Sequence, residues 1–498
     1  MPGRKSVRMK EFKPKQILRF GLLLYFLVPY FIFLSFYEFS INLNLTEIFW
    51  AVKNSLLQSG VTAAVVILLS IPMSQGLFLL TDRFQKTALR LLIIPQILPA
   101  FYSILIAFSV INPYPMGSLG IIVLFVFINL GFATLLMVSA SREKLGGLPL
   151  ISEVFSLGRV RFFRTIYFPL LKADLVLNFF LVFIFCLSSF SVPLIVGGGR
   201  GTNIEVLIYE KIFVDQNWPA AFSLCLTQTL LIFVGSTILL KARQSNEPAE
   251  FSSGRYLKSS FGLLLIGVYL AVYFGGYAIG LIKSFSYFDF IYEYRADLLE
   301  VTLFTSKALF LYLLLNFLML FFWLFDYLGN LNFTPANNLI SASTVLIGFS
   351  LYLFLPLTKN FDIIKITFGM SILFFPSLFK LFLQRPIENL QQQLLISKMY
   401  GLSKSKIIIE IILRQIPQQI FLWVSLLTIG FIAEYALLKV LGVQTPTLGL
   451  LSESFLSSYR LQLSYFMSFY ILVYWFLVML ILYFSQKVLY VAYKKFSP

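Results

Sequence analysis

The chain has 498 residues, 59% hydrophobic and 12% charged, with a formal net charge of +17, which excludes a soluble globular domain and predicts an all-α integral membrane protein crossing the bilayer many times. It has no histidine and two cysteines, Cys186 and Cys225, both inside apolar segments, so histidine-based catalysis, Cys/His metal sites and a disulfide framework are excluded. Lysine and arginine cluster in short loops between apolar runs, so the charge reports topology, and no nucleic-acid partner is expected.

The predicted elements begin with a basic tail, residues 1–19, carrying Arg4, Lys5, Arg8, Lys10, Lys13 and Lys15. The apolar run that follows, about Phe20 to Phe39, exceeds a signal-peptide core and reads as an uncleaved first span, with the N-terminus in the cytoplasm. Span two, about Ala51 to Leu80, returns to a basic inner loop with Asp82, Arg83, Lys86 and Arg90. Span three, about Leu91 to Ile111, leads to the uncharged outer turn NPYPMGSLG. Span four, about Ile121 to Ala140, comes back to a half-polar segment, Ile151 to Leu171, ISEVFSLGRVRFFRTIYFPLL. Arg159, Arg161 and Arg164 punctuate it, Gly158 breaks it and Pro169 ends it, so it reads as one or two short surface helices joined by a glycine turn. Span five, about Leu175 to Val196, empties into an outer turn at Gly197, Gly198 and Gly199, and span six covers about Pro219 to Leu240.

The stretch QSNEPAEFSSG has linker composition and sets a cytoplasmic linker at residues 244–258. It separates a first domain, 20–243 with a cytoplasmic loop at 141–172, from a second, 259–498 with a loop at 384–417. Further spans fall near Phe261 to Ile282, Thr302 to Leu328, Ala342 to Leu357, Ile366 to Leu383, Ile420 to Leu441 and Leu463 to Phe484, with Lys487, Lys494 and Lys495 keeping the C-terminus inside. Six spans return the chain to its starting side, so the halves read as a parallel repeat. Gly158 then pairs with Gly401, 243 positions on, and Ile204 with Leu448, 244 positions on.

Charge inside a span is costly and often functional, which makes Glu434 a candidate for the substrate path, either alone or paired with Lys439. Tyr209 and Tyr459 are further path candidates. The 56 phenylalanines are taken as bilayer packing, with no aromatic cage assigned. No GxxxxGK[ST] phosphate loop occurs, so any ATP hydrolysis must come from another chain.

In the second loop Gly401 is followed by Ile411, Leu413 and Arg414; in the first, Leu157-Gly158 and Phe168-Pro169 stand at similar places, two residues closer together. These segments resemble the coupling loops of binding-protein-dependent ABC importer permeases, whose pattern is Glu-Ala-Ala, three residues, Gly, nine residues, Ile-x-Leu-Pro. Ser188 to Gln228, Thr445 to Gln462 and Asn129 to Ala140 are similar to islands of thiamine transporter permeases. The resemblance implies two fused six-span permease domains, about twelve transmembrane helices in all, in a bacterial inner membrane. It implies a cytoplasmic ATPase homodimer as partner, with ATP and Mg bound there and no cofactor on this chain, and a periplasmic binding protein delivering thiamine or its phosphate esters. By the same resemblance Glu153, Gly158, Arg159, Arg161, Arg164, Pro169, Gly401, Ile411, Leu413 and Arg414 contact the ATPase, the arginines also anchoring at lipid headgroups. A ferric-iron permease of the same superfamily is the nearest alternative. An ion-coupled secondary transporter would call for inverted repeats and buried ionisable relays.

Overall fold

The computed structural model describes residues 45–199, 201–242, 254–285, 294–330, 343–355 and 358–496, with scattered positions between 25 and 35 and residue 289. The basic tail, most of the predicted first span and linker residues 244–253 lie outside the described residues. Among those described, all regular structure is helical, as apolar segments require when their backbone polar groups must be satisfied away from water.

Helix α1 (Leu45–Leu77) buries a stripe of small and polar residues, among them Ser55, Gln58, Ser59, Thr62, Ser70 and Ser74. Helices α2 (Asp82–Ile97) and α3 (Ala100–Val110) meet at a 98° bend, so the predicted third span is a broken pair. The cause is the sequence Pro95-Gln-Ile-Leu-Pro99: Leu98, held extended before Pro99, cannot continue the helix. Asp82, Arg83, Lys86 and Arg90 accordingly sit on a helix rather than in a loop. Helix α4 (Ser118–Leu145) and the short α5 (Leu148–Val154) lead to α6 (Arg159–Leu187). After α7 (Ser191–Val196) and α8 (Ile204–Phe213), α9 (Trp218–Ala242) closes the first half.

The second half opens with a short turn, Arg255–Leu257, and α10 (Ser260–Ser284). Next come α11 (Arg295–Asn330), α12 (Thr344–Phe354) and α13 (Lys359–Leu378), the last prolonged through Asn389. Helix α14 (Gln391–Met399) precedes α15 (Lys404–Gln415) and α16 (Pro417–Ala433), which are bent by 86°. Helices α17 (Ala436–Val440), α18 (Leu448–Ser457) and α19 (Leu461–Phe496) complete the chain. Among the described residues seven helices are long and apolar enough to cross a membrane, or nine if each bent pair counts as one span. The chain is therefore a multi-pass all-α membrane protein.

Two predicted spans end elsewhere. The fifth starts at Arg159, ends at Leu187, and is separate from α7. The eleventh stops at Ala433, and Glu434 is extended. Pro169 also does not end a helix. The backbone widens into a π-helical turn at Phe163–Tyr167 just before it, and that wider turn makes room for a ring that would otherwise clash with the preceding carbonyls.

The halves interleave. Helix α10 lies on α1, where a Cβ on Gly262 would collide with the Pro72 carbonyl, the close approach that small residues permit in membranes. Conversely Tyr25 Oη donates to the Phe368 carbonyl at 3.4 Å, and Ser350 Oγ donates to the Pro29 carbonyl at 2.7 Å. Across the centre Tyr102 Oη donates to the Ser468 carbonyl at 2.9 Å and Tyr465 Oη to that of Leu105 at 2.8 Å.

Candidate functional site

Both half-polar loops are built on one turn. Helix α5 ends at Val154 and Ser156 takes a left-handed conformation, φ 53°; α14 ends at Met399 and Gly401 does the same, φ 73°. Each turn closes with the same two backbone bonds. Ser156 N donates to Glu153 O at 2.9 Å and Leu157 N to Ser152 O at 2.9 Å; Gly401 N donates to Lys398 O at 3.0 Å and Leu402 N to Ser397 O at 3.2 Å. This is the Schellman arrangement, which satisfies the last carbonyls of a helix by a left-handed residue just beyond it.

The geometry corrects the expected pairing. Ser156, not Gly158, is the counterpart of Gly401. Gly158 has φ −56° and ψ 148° and precedes α6, as Ser403, with φ −64° and ψ 149°, precedes α15. The apparent two-residue shortening of the first loop disappears: Ser156 to Pro169 and Gly401 to Arg414 are both 13 positions, and Leu150-Ile151-Ser152 recurs as Leu395-Ile396-Ser397. The glycine was misleading because serine occupies the position that favours glycine, and an unconstrained glycine stands two residues later.

Each turn presents an apolar pair to the outside. Val154 and Phe155 are 76% and 74% exposed, Met399 and Tyr400 87% and 82%. Arg161, Arg164, Pro169 and Arg414 are exposed too, whereas Ile411 and Leu413 are half-buried against the core. Glu153 is held within the chain, its Oε1 accepting from Tyr256 N at 3.0 Å. Arg159 donates to the Lys258 carbonyl at 3.4 Å, and the Phe162 and Tyr256 rings stand 5.6 Å apart. The second loop is tied differently: Lys404 Nζ donates to the Phe325 carbonyl at 3.1 Å and lies 4.2 Å from that ring's centre.

The outer-turn glycines shape a pinned loop. Gly198 and Gly199 have φ 52° and 71°, and Gln58 Nε2 donates to the Gly201 carbonyl at 3.0 Å. Gly197 is buried, its amide donating to Pro193 O at 2.9 Å. The loop delivers α8, whose first amide, Ile204 N, donates to Ser55 Oγ of α1 at 2.8 Å. Helix α18 is received in the same way, Leu448 N donating to Thr305 Oγ1 of α11 at 3.2 Å.

Of the path candidates, Glu434 serves the backbone: its Oε1 accepts from Leu437 N at 3.0 Å and caps α17. Lys439 pairs with Glu453 at 2.9 Å rather than with Glu434. Tyr459 is exposed in a left-handed turn, φ 58°, between α18 and α19. Tyr209 is half-buried in a band of rings, 5.4 Å from Phe190 and 4.9 Å from Phe213, with Phe213 in turn 5.5 Å from Tyr352 of α12. Sequence reasoning passed over Glu205, which is fully buried between the halves: its Oε1 accepts from Gln228 Nε2 at 2.7 Å and its Oε2 from Ser343 Oγ at 2.9 Å. The available signal was an acid in an apolar run, TNIEVLIY, with no basic residue within four positions.

No family model matches the chain. It is similar to the thiamine transport system permease protein ThiP of Brucella abortus (strain 2308), 26% identical over 254 residues, 45% of this chain and 47% of the relative. The ThiP of Brucella suis biovar 1 (strain 1330) is 27% identical over 252 residues, 45% of this chain and 46% of that protein. That of Escherichia coli (strain K12) is 30% identical over 132 residues, 26% of this chain and 24% of the relative. The chain thus spans about half the length of the first two and a quarter of the third. The resemblance to thiamine transporter permeases is borne out.

Proposed function

We propose that the chain is the permease of an ATP-driven importer that carries thiamine, or its phosphate esters, across the inner membrane by alternating access. The observation that carries this reading is the recurrence, 245 positions apart, of one Schellman turn with an exposed apolar pair at its tip. Two equivalent apolar knobs suit docking onto two copies of one partner, here a cytoplasmic ATPase dimer that holds ATP and Mg. A periplasmic binding protein would deliver the substrate to the opposite side. The substrate class comes from the similarity to proteins named thiamine transport permeases.

Twelve spans in two parallel repeats, split near residues 244–258, fit the order of elements. Helices α4 to α9 find equivalents in the same order from α13 to α19, and α8 and α18 are received by hydroxyls of α1 and α11. The two bent pairs and the shorter apolar helices Trp218–Ile232 and Thr344–Phe354 bring the total toward twelve once the predicted first span is included. The basic residues around both turns favour a cytoplasmic location for these loops, with both termini on that side.

Reconstitution with candidate ATPase and binding-protein subunits, followed by uptake of labelled thiamine and Fe(III), tests the reading. ATP-dependent thiamine uptake is expected, reduced by Phe155→Ala and by Tyr400→Ala with assembly weakened, since each would lose an aromatic contact that docking buries, worth about 2 kcal/mol. Uptake driven by an ion gradient without ATP, or ATP-dependent uptake of iron alone, would overturn it.

A further inference from the structure

Glu205 stands in the first turn of α8 with both oxygens engaged by neutral donors from opposite halves. Gln228, on α9, belongs to its own half, and Ser343, which caps α12, belongs to the other; the Val345 amide also donates to the carboxyl. Three donors on one carboxyl favour its charged form, which burial opposes. Among the described residues no lysine or arginine pairs with it. Buried ionisable groups in membrane proteins are costly and mark function, and the N-terminus of α12 supplies only part of the compensation.

Two further observations point to a ligand. Gln228 is fully buried, and its Oε1 has no hydrogen-bond partner, so a second acceptor lies on the same amide that holds Glu205. Tyr209, one helical turn along α8, begins the ring band that reaches Phe213 and then Tyr352 of α12. Carboxyl and rings therefore share one seam, α8 against α12, between the halves. Tyr209 follows the carboxyl by one turn of α8, about 6 Å of rise, and a carboxyl followed by an aromatic face favours a flat organic cation, by charge and by cation–π attraction.

We infer that Glu205, with Gln228 and the Tyr209 ring, forms the recognition site for a flat cationic ring in the transported molecule, the rings of Phe213 and Tyr352 continuing the seam beyond it. The inference rests on the importer reading and names the residues that select its substrate. With the seam shut, Ser343 occupies Oε2. When the halves part, that donor leaves with α12 and the freed oxygen faces the opening. The position equivalent to Glu205 in the second half is Gly449, 244 positions on, so this carboxyl has no counterpart at the same place in the other half.

The test uses the whole transporter in proteoliposomes with labelled thiamine. Glu205→Gln is expected to lower uptake about tenfold while ATP hydrolysis stays within about twofold, and Glu205→Asp to recover part of the loss. Ser343→Ala, which removes the shut-state donor and leaves the carboxyl, is expected to keep uptake within about threefold. Wild-type uptake by Glu205→Gln would overturn the inference, as would an equal loss in Ser343→Ala, which would make the pair a structural latch. Absence of ATP-dependent thiamine uptake by the unaltered protein would instead sink the importer reading, and this inference with it.

Discussion

Ser156 holds a left-handed conformation, φ 53°, that costs an L-residue with a side chain roughly 1–2 kcal/mol relative to the right-handed regions. Gly401 adopts the same conformation freely. Three substitutions should therefore behave differently. Ser156→Gly stabilises the first turn by up to about 1 kcal/mol, and Gly401→Val destabilises the second by at least as much. Gly158→Ala is nearly neutral, because its backbone is extended and a Cβ there meets nothing within 4 Å. Thermal unfolding of the three variants in detergent checks the ranking; equal losses at Gly158 and Gly401 would restore the glycine-to-glycine pairing. Residue types alone could not have given the right register, since the left-handed position is defined by where α5 stops. Around that stop α5 packs against the 254–258 segment, far away in sequence.

At the scale of elements, the two loops enter the membrane differently. Helix α6 runs unbroken through Pro169, while α15 and α16 part at Ile416, which precedes Pro417 and has φ −119° and ψ 42°. The residue before a proline is driven out of the helical region, and the proline then starts the next helix at no cost. Lys172 is the position equivalent to Pro417, 245 residues earlier, and lies inside α6. Lys172→Pro should break α6 at a cost of about 3 kcal/mol, whereas Pro417→Ala should cost less than about 1 kcal/mol. The comparison reads out as melting temperature, and a milder effect at Lys172 would show that α6 tolerates a break. Apolar run length announced the long helices α1, α4, α11 and α19 plainly. It could not announce the bends at Leu98 and Ile416, because hydropathy is blind to direction and the prolines only mark where a turn is cheap. Glu434 shows the same limit: in a continuous span it would be a stranded charge, whereas at the helix break its Oε1 accepts from Leu437 N.

For the whole molecule, membrane class and the two basic loops were legible from composition and charge, because both are set by solvent rather than by tertiary contact. The seam at Glu205 was not. Its donors, Gln228 and Ser343, are separated from it by 23 and 138 positions, and the ring band needs α12 from the other half. The packing of α10 on α1, and of Tyr25 and Pro29 on the second half, has a topological consequence. The second half lends α10 to the first, and the first reaches the second through Tyr25 and Pro29, so the two clasp each other and should stay together once folded even without the covalent join. Cleavage at a protease site placed between residues 243 and 254 should therefore yield two bands under denaturing electrophoresis but one peak on size exclusion in mild detergent. Separate peaks would show that only the peptide bond kept the halves together.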